Sequence, residues 1–190
     1  GRCSYQFACY DDGGMISDGL LLRLTNDKFW FAQGDGHLYS WYKAHSINLD
    51  VEIKDPNVWV SQIQGPKSLK LLNKIVDESL ENKFNYFDWI ETSIAYEKVI
   101  ISRTGFTNEL GWEIYLRPEN DSKKIGDLIL EKGKEMGMIL TASPGFRCRR
   151  IEAGLLSAGR DFTKERTPFS VGLGKFIDFD KGEFIGRNFL

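Results

Sequence analysis

Short apolar blocks separated by polar turns dominate the first third of the chain. Cys3-Ser4-Tyr5-Gln6-Phe7-Ala8-Cys9-Tyr10 reads as a strand, Asp11-Asp12-Gly13-Gly14 as a turn, and Leu20-Leu21-Leu22-Arg23-Leu24 as a second strand. Thr25-Asn26-Asp27-Lys28 turns the chain again, and Phe29-Trp30-Phe31-Ala32 forms a third strand, so the pattern predicts an antiparallel meander. From Gly36 the period changes. Leu38, Trp41, Tyr42 and His45 share a helical face, which predicts a helix of about three turns. Val51-Glu52-Ile53 and Val58-Trp59-Val60-Ser61-Gln62-Ile63 read as strands split by Asp55-Pro56-Asn57.

Gly65-Pro66 opens the next helix, with proline at the first helical position and an apolar stripe of Leu69, Leu72 and Val76. Ala95 to Ser102 is a strand, and Trp112-Glu113-Ile114-Tyr115-Leu116 is its expected partner. Pro118 stops that partner, and Asp121 or Ser122 caps a helix that buries Ile125, Leu128, Ile129 and Met136. The tail reads as a short helix around Arg149 to Leu155, then loops and a strand near Lys175 to Phe179. The order strand, helix, strand, strand, helix from Val58 to Met136 predicts an α+β fold, with antiparallel sheets and helices packed on one face. The expected divisions are a β-rich part over 1–57, an α+β ferredoxin-like subdomain over 58–142 and a closing segment over 143–190.

Composition narrows the function classes. With 25 basic and 27 acidic residues the formal charge is −2, which argues against a general nucleic-acid binder. No apolar run approaches the roughly 18 residues of a membrane span, so a soluble chain without a membrane partner is expected. Cys3, Cys9 and Cys148 are odd in number and lack CxxC spacing, which fits a reducing, cytoplasmic compartment better than a disulfide framework. His37 and His45 show no paired ligand spacing, so no metal site is expected. The first residue is not Met and no signal-like segment follows; both ends are expected to be cut.

The densest chemistry lies between Ser102 and Glu113, where two glycines flank a connection of alternating polar and aromatic residues. An aromatic such as Phe106 beside the carboxylate of Glu113 suits a flat heterocycle with an amidine edge: the ring stacks, and two N–H donors meet two carboxylate oxygens. The same residues suit an ordinary hairpin with a polar tip and a surface Glu, and on composition alone that reading is favoured. Asp18 precedes the apolar strand, where its carboxylate either holds an amine at a cleft or closes a turn. Arg147, Arg149 and Arg150 around Cys148 suit either a carboxylate-bearing tail or a solvated face.

Five motifs carry a resemblance: Gly13-Gly14-Met15-Ile16-Ser17-Asp18, Gln64-Gly65-Pro66-Lys67-Ser68, Ser102 to Tyr115, Arg150-Ile151-Glu152-Ala153-Gly154-Leu155 and Phe184-Ile185-Gly186-Arg187. In this order, over nearly the whole chain, they resemble the tetrahydrofolate-binding domain of the glycine cleavage system T-protein (aminomethyltransferase) family. The resemblance implies the family's partial folate-binding fold, with an N-terminal portion and a C-terminal β-barrel lying outside it. It also implies tetrahydrofolate as cofactor and transfer of a one-carbon group from a small-molecule donor, which the family also takes from a lipoyl carrier protein. Asp18 matches the family's catalytic aspartate, Glu113 the glutamate that recognises the pterin, and Phe106 an aromatic that is usually tyrosine. Arg103 or Arg150 is then expected to face the folate carboxylates.

The sequence also departs from the pattern. A usual pair of acids is Ser17-Asp18 here, a usual Thr-Gly-Glu is Thr107-Asn108-Glu109, and a usual arginine is Phe146. Other segments, among them Thr167-Pro168-Phe169-Ser170-Val171-Gly172-Leu173, resemble dimethylsulfoniopropionate demethylases and tetrahydrofolate-dependent O-demethylases, which move a methyl group from sulfonium, betaine or methoxyaryl donors. A non-catalytic folate-binding module is the third reading.

Overall fold

The computed structural model describes residues 1–80, 84–141 and 143–190. They form two compact units that interleave in sequence: residues 4–54 with 156–190, and residues 1–3 with 55–155.

The first unit is built on the expected meander. β1 (Cys3–Cys9), β2 (Met15–Arg23) and β3 (Phe29–Gln33) form a sheet in the order β1-β2-β3. The β2–β3 ladder is antiparallel, from Gly19 opposite Gln33 to Arg23 opposite Phe29. Gly13 makes the preceding turn possible, with φ at +80° and its N–H donating to Tyr10 O at 3.0 Å. Cys9, Met15, Phe162 and Leu173 form a buried cluster, with Tyr5, Phe7 and Leu156 packed against it. The helix α1 (Leu38–His45) has two turns, not three, and buries only Leu38 of the expected stripe. Val51, expected in a strand, is 56% exposed in irregular chain, where no neighbour among the described residues offers a ladder. The strand expected near Lys175–Phe179 is replaced by 3-10 turns at Gly174–Phe176 and Phe179–Lys181. Gly182, with φ at +92°, ends the second of these turns.

The second unit carries β4 (Trp59–Gln64), α2 (Ser68–Ile75), β5 (Trp89–Ile94), β6 (Glu97–Ser102), β7 (Gly111–Leu116), α3 (Ser122–Glu135) and α4 (Ser143–Glu152). Its antiparallel sheet runs β4-β7-β6-β5. Ile63, Val99, Ile101, Trp112, Ile114 and Leu116 project from one face of that sheet into a core shared with Leu71, Leu72 and Ile75 of α2 and Ile125 of α3. The period of two then sends Gln62, Ile100, Ser102, Glu113 and Tyr115 to the other face. All six β7 residues are buried, so both faces of the central strand are covered.

β5 is absent from the sequence pattern because its turn to β6 is Ala95-Tyr96, with φ values of +53° and +66°. That two-residue turn normally takes Asn or Gly. Here Lys124 Nζ donates to Ala95 O at 2.7 Å and Asp77 Oδ2 accepts from Tyr96 N at 3.2 Å, and these bonds hold the left-handed pair. α2 starts at Ser68, two residues after Pro66, because Gly65 and Pro66 form a turn closed by Ser68 N donating to Gly65 O at 3.0 Å. The buried stripe of α2 is accordingly Leu71, Leu72 and Ile75. Asp121 caps α3 as expected, accepting from Lys124 N at 3.0 Å.

Candidate functional site

Glu113 sits in the middle of β7 on the face away from the helices, paired with Gln62 on one side and Ser102 on the other. It is 8% exposed. Three donors organise its carboxylate: Gln62 Nε2 reaches Oε1 at 2.8 Å, while the Thr104 hydroxyl and, at 3.4 Å, the Tyr115 hydroxyl reach Oε2. Burial pushes the Glu113 carboxyl above its ordinary range, and the bonds from Thr104, Tyr115 and Gln62 pull against that rise. Neighbouring groups feel the same enclosure. The Cys3 thiol is pushed up to about 12, first by burial and next by Glu113. Tyr115 is raised by burial and then by Glu113, so it remains a hydrogen-bond donor.

The loop that delivers Thr104 is shaped by two glycines. A Cβ on Gly105 or Gly111 would lie 2.4 Å or 2.3 Å from the Gln64 side-chain amide, so that amide occupies the space both residues leave. Gln64 Oε1 accepts from the Thr107 hydroxyl at 2.6 Å and ties the loop to β4. Phe106 lies half-buried between Gly105 and Thr107.

Asp18 belongs to the other unit. β2 begins at Met15, so Asp18 lies inside a strand and not at its entrance. The Tyr5 hydroxyl of β1 donates to Asp18 Oδ2 at 2.7 Å. Burial raises the Asp18 carboxyl, the Tyr5 bond lowers it, and the charges of Asp35 and Asp161 raise it further. The two other acids are fixed: Ser157 Oγ donates to Asp35 Oδ2 at 2.9 Å, and Ser157 N donates to Asp161 Oδ2 at 2.7 Å. Ser17, fully buried, donates to Asp35 O at 2.5 Å. A carboxyl held above its usual range can exchange a proton nearer neutral pH, and when ionised it stabilises a neighbouring cationic nitrogen.

Both arginines expected at the folate carboxylates make bonds to backbone carbonyls of their own unit. Arg103 Nη1 donates to Phe84 O at 3.0 Å, and Arg150, 5% exposed, donates from Nη1 to Leu155 O at 3.0 Å. Cys148 is exposed on α4. Among the described residues no group of His, Cys, Asp and Glu is arranged to hold a metal ion, and no helix is long and apolar enough to cross a membrane. Sequence reasoning missed Tyr5, Gln62, Thr104 and Tyr115. For Gln62 the sequence offers only a polar residue in an otherwise largely apolar strand; the β4–β7 register that sets it against Glu113 comes from the structure.

Comparison with known proteins adds the family context. The model of the GCVT N-terminal domain family matches residues 1–181. Aminomethyltransferase of Caldanaerobacter subterraneus subsp. tengcongensis is 35% identical over 192 residues, 98% of this chain and 51% of that protein. Aminomethyltransferase of Halothermothrix orenii is 31% identical over 194 residues, covering 100% of this chain and 54% of that protein. The crystal structure of glycine cleavage system aminomethyltransferase T from Bartonella henselae superposes with a TM-score of 0.87 at 21% identity, covering 99% of this chain and 51% of that one. The chain therefore spans about half the length of the relatives it matches.

Proposed function

This chain belongs to the GCVT N-terminal domain family, and from that premise we propose that it is the folate-binding part of a tetrahydrofolate-dependent one-carbon transferase. The transferred group in this reading is an aminomethyl or methyl group from a small donor, with aminomethyl favoured by the names of the relatives. One observation carries the proposal: a carboxylate buried in a strand, Glu113, with hydroxyl and amide donors fixing its geometry. A buried carboxylate costs several kcal/mol to desolvate unless a ligand or neighbour compensates it. No cation lies among the partners of Glu113 given above, and the carboxylate keeps acceptor capacity on Oε1. That fits the amidine-like edge of a pterin, which brings N–H donors and no net charge.

Tetrahydrofolate, when bound, supplies the nitrogen that accepts the one-carbon unit. Glu113 accepts from the edge of its ring and fixes orientation, and Phe106 packs beside the ring. Asp18 orients the donor amine and stabilises positive charge developing on nitrogen. A preorganised charge of this kind is worth roughly 3 kcal/mol in a transition state. Incubation with a labelled aminomethyl donor and tetrahydrofolate tests the reading: ammonia release with a labelled methylene folate supports aminomethyl transfer. Labelled 5-methyltetrahydrofolate from a sulfonium, betaine or methoxyaryl donor, without ammonia, moves the assignment to the demethylase branch. Folate binding without transfer from any donor leaves only the binding module.

A further inference from the structure

Glu113 is not equally open on its two oxygens. Oε2 already accepts from the Thr104 and Tyr115 hydroxyls, whereas Oε1 accepts only from Gln62 Nε2 among the bonds described. A ligand that brings two adjacent N–H donors therefore does not find two free carboxylate oxygens. A second acceptor stands beside Oε1. Gln62 Oε1 is buried and has no hydrogen-bond partner among the described residues. It belongs to the same amide whose nitrogen donates to Glu113, so the two oxygens are neighbours on the sheet face. The carboxylate fixes which way that amide points. Turned over, it would set oxygen against oxygen and leave its NH2 unpaired. A buried acceptor left without a donor costs about 1–3 kcal/mol, so such an atom calls for a partner.

Resting on the folate reading above, we propose that Gln62 is a specificity-determining residue, and that the two adjacent N–H donors of the pterin edge are divided between Glu113 Oε1 and Gln62 Oε1. The ligand class this pair selects has two parallel donors on one ring edge. One meets a charged acceptor and the other a neutral one. A ring with a lone pair in place of the ring N–H sets an acceptor against an acceptor, and one without the exocyclic amine leaves an acceptor unpaired; a site built for hydrogen bonding rejects both.

The test is a protein–ligand double-mutant cycle on this chain. Calorimetry measures the Kd of tetrahydrofolate, of its 2-desamino counterpart and of its 4-amino counterpart, which lacks the ring N–H beside the exocyclic amine. Each is titrated into the wild type and into Gln62→Leu. The wild type is expected to discriminate against both altered rings by about tenfold or more. In Gln62→Leu the discrimination against one of them falls to within about twofold, while discrimination against the other persists through Glu113. Gln62→Met, a second apolar variant of similar length, gives the same pattern. Unchanged discrimination against both rings, with Glu113→Ala still weakening binding, overturns the proposal and leaves the folate reading standing. No binding of any ring by the folded wild type overturns both.

Discussion

The Tyr5 hydroxyl donates to Asp18 Oδ2 at 2.7 Å, joining β1 to the carboxylate of β2. The bond opposes burial, which raises the Asp18 carboxyl more than any other influence. Tyr5→Phe removes the opposing bond, so Asp18 keeps its proton to higher pH. The acid limb of kcat/KM in one-carbon transfer is expected to move upward in that variant, as a pH–rate profile would show. A limb that stays put or moves down would separate Asp18 from the chemistry.

Asp18 also links stability to pH. Its folded carboxyl sits above the ordinary value of 3.8, so between the ordinary and the raised pKa the folded state binds more protons than the unfolded chain. Stability contributed at this position therefore falls as pH rises through that window. Asp18→Asn keeps an acceptor for Tyr5 without the charge. It is expected to melt above the wild type at pH 7, with the gap closing as pH falls below about 4. Thermal melts at the two pH values check this, and a variant less stable than the parent at pH 7 refutes it.

Gly111 and Gly126 make opposite predictions from the same substitution. A Cβ at Gly111 meets the Gln64 amide at 2.3 Å, whereas a Cβ at Gly126 on α3 meets nothing within 4 Å. Gly111→Ala should push the Gln64 amide aside, break its bond from the Thr107 hydroxyl at a cost of about 1 kcal/mol, and loosen the loop that delivers Thr104. Gly126→Ala should gain up to about 1 kcal/mol from helix propensity. Denaturant unfolding of the two variants decides whether the glycine at position 111 is there for space.

Arg103 spends Nη1 on the carbonyl of Phe84. Arg103→Met is therefore expected to cost about 1–3 kcal/mol of stability. It should leave the affinity ratio between tetrahydrofolate and the bare tetrahydropterin ring unchanged. A loss confined to the ligand with the glutamate tail would instead place Arg103 at the folate carboxylates.

Much of this architecture is legible in the chain because its turns use ordinary turn chemistry. Asp11-Asp12-Gly13-Gly14 and Thr25 to Lys28 mark the meander, and the Asp121 cap marks α3. β5 is hidden because Ala95 and Tyr96 adopt left-handed backbone without glycine or asparagine, held by Lys124 and Asp77 from distant parts of the sequence. Val51 to Ile53 misleads in the other direction: the residues suit a strand, but no neighbour among the described residues pairs with them. At the site, Glu113 stands out through its motif, while Gln62 lies 51 positions away and joins it only through the β4–β7 register. Tyr5 is hidden likewise, since its phenol finds Asp18 across a ladder that periodicity alone does not align.

The central claim is that Glu113 reads tetrahydrofolate. Calorimetric titration of tetrahydrofolate under reducing conditions, into this chain and into Glu113→Ala, tests it most directly. Saturable binding to the wild type is expected, weakened by about tenfold to a hundredfold in a variant that circular dichroism shows to be folded. Equal affinity in the two proteins, or no binding to a folded wild type, would contradict the claim.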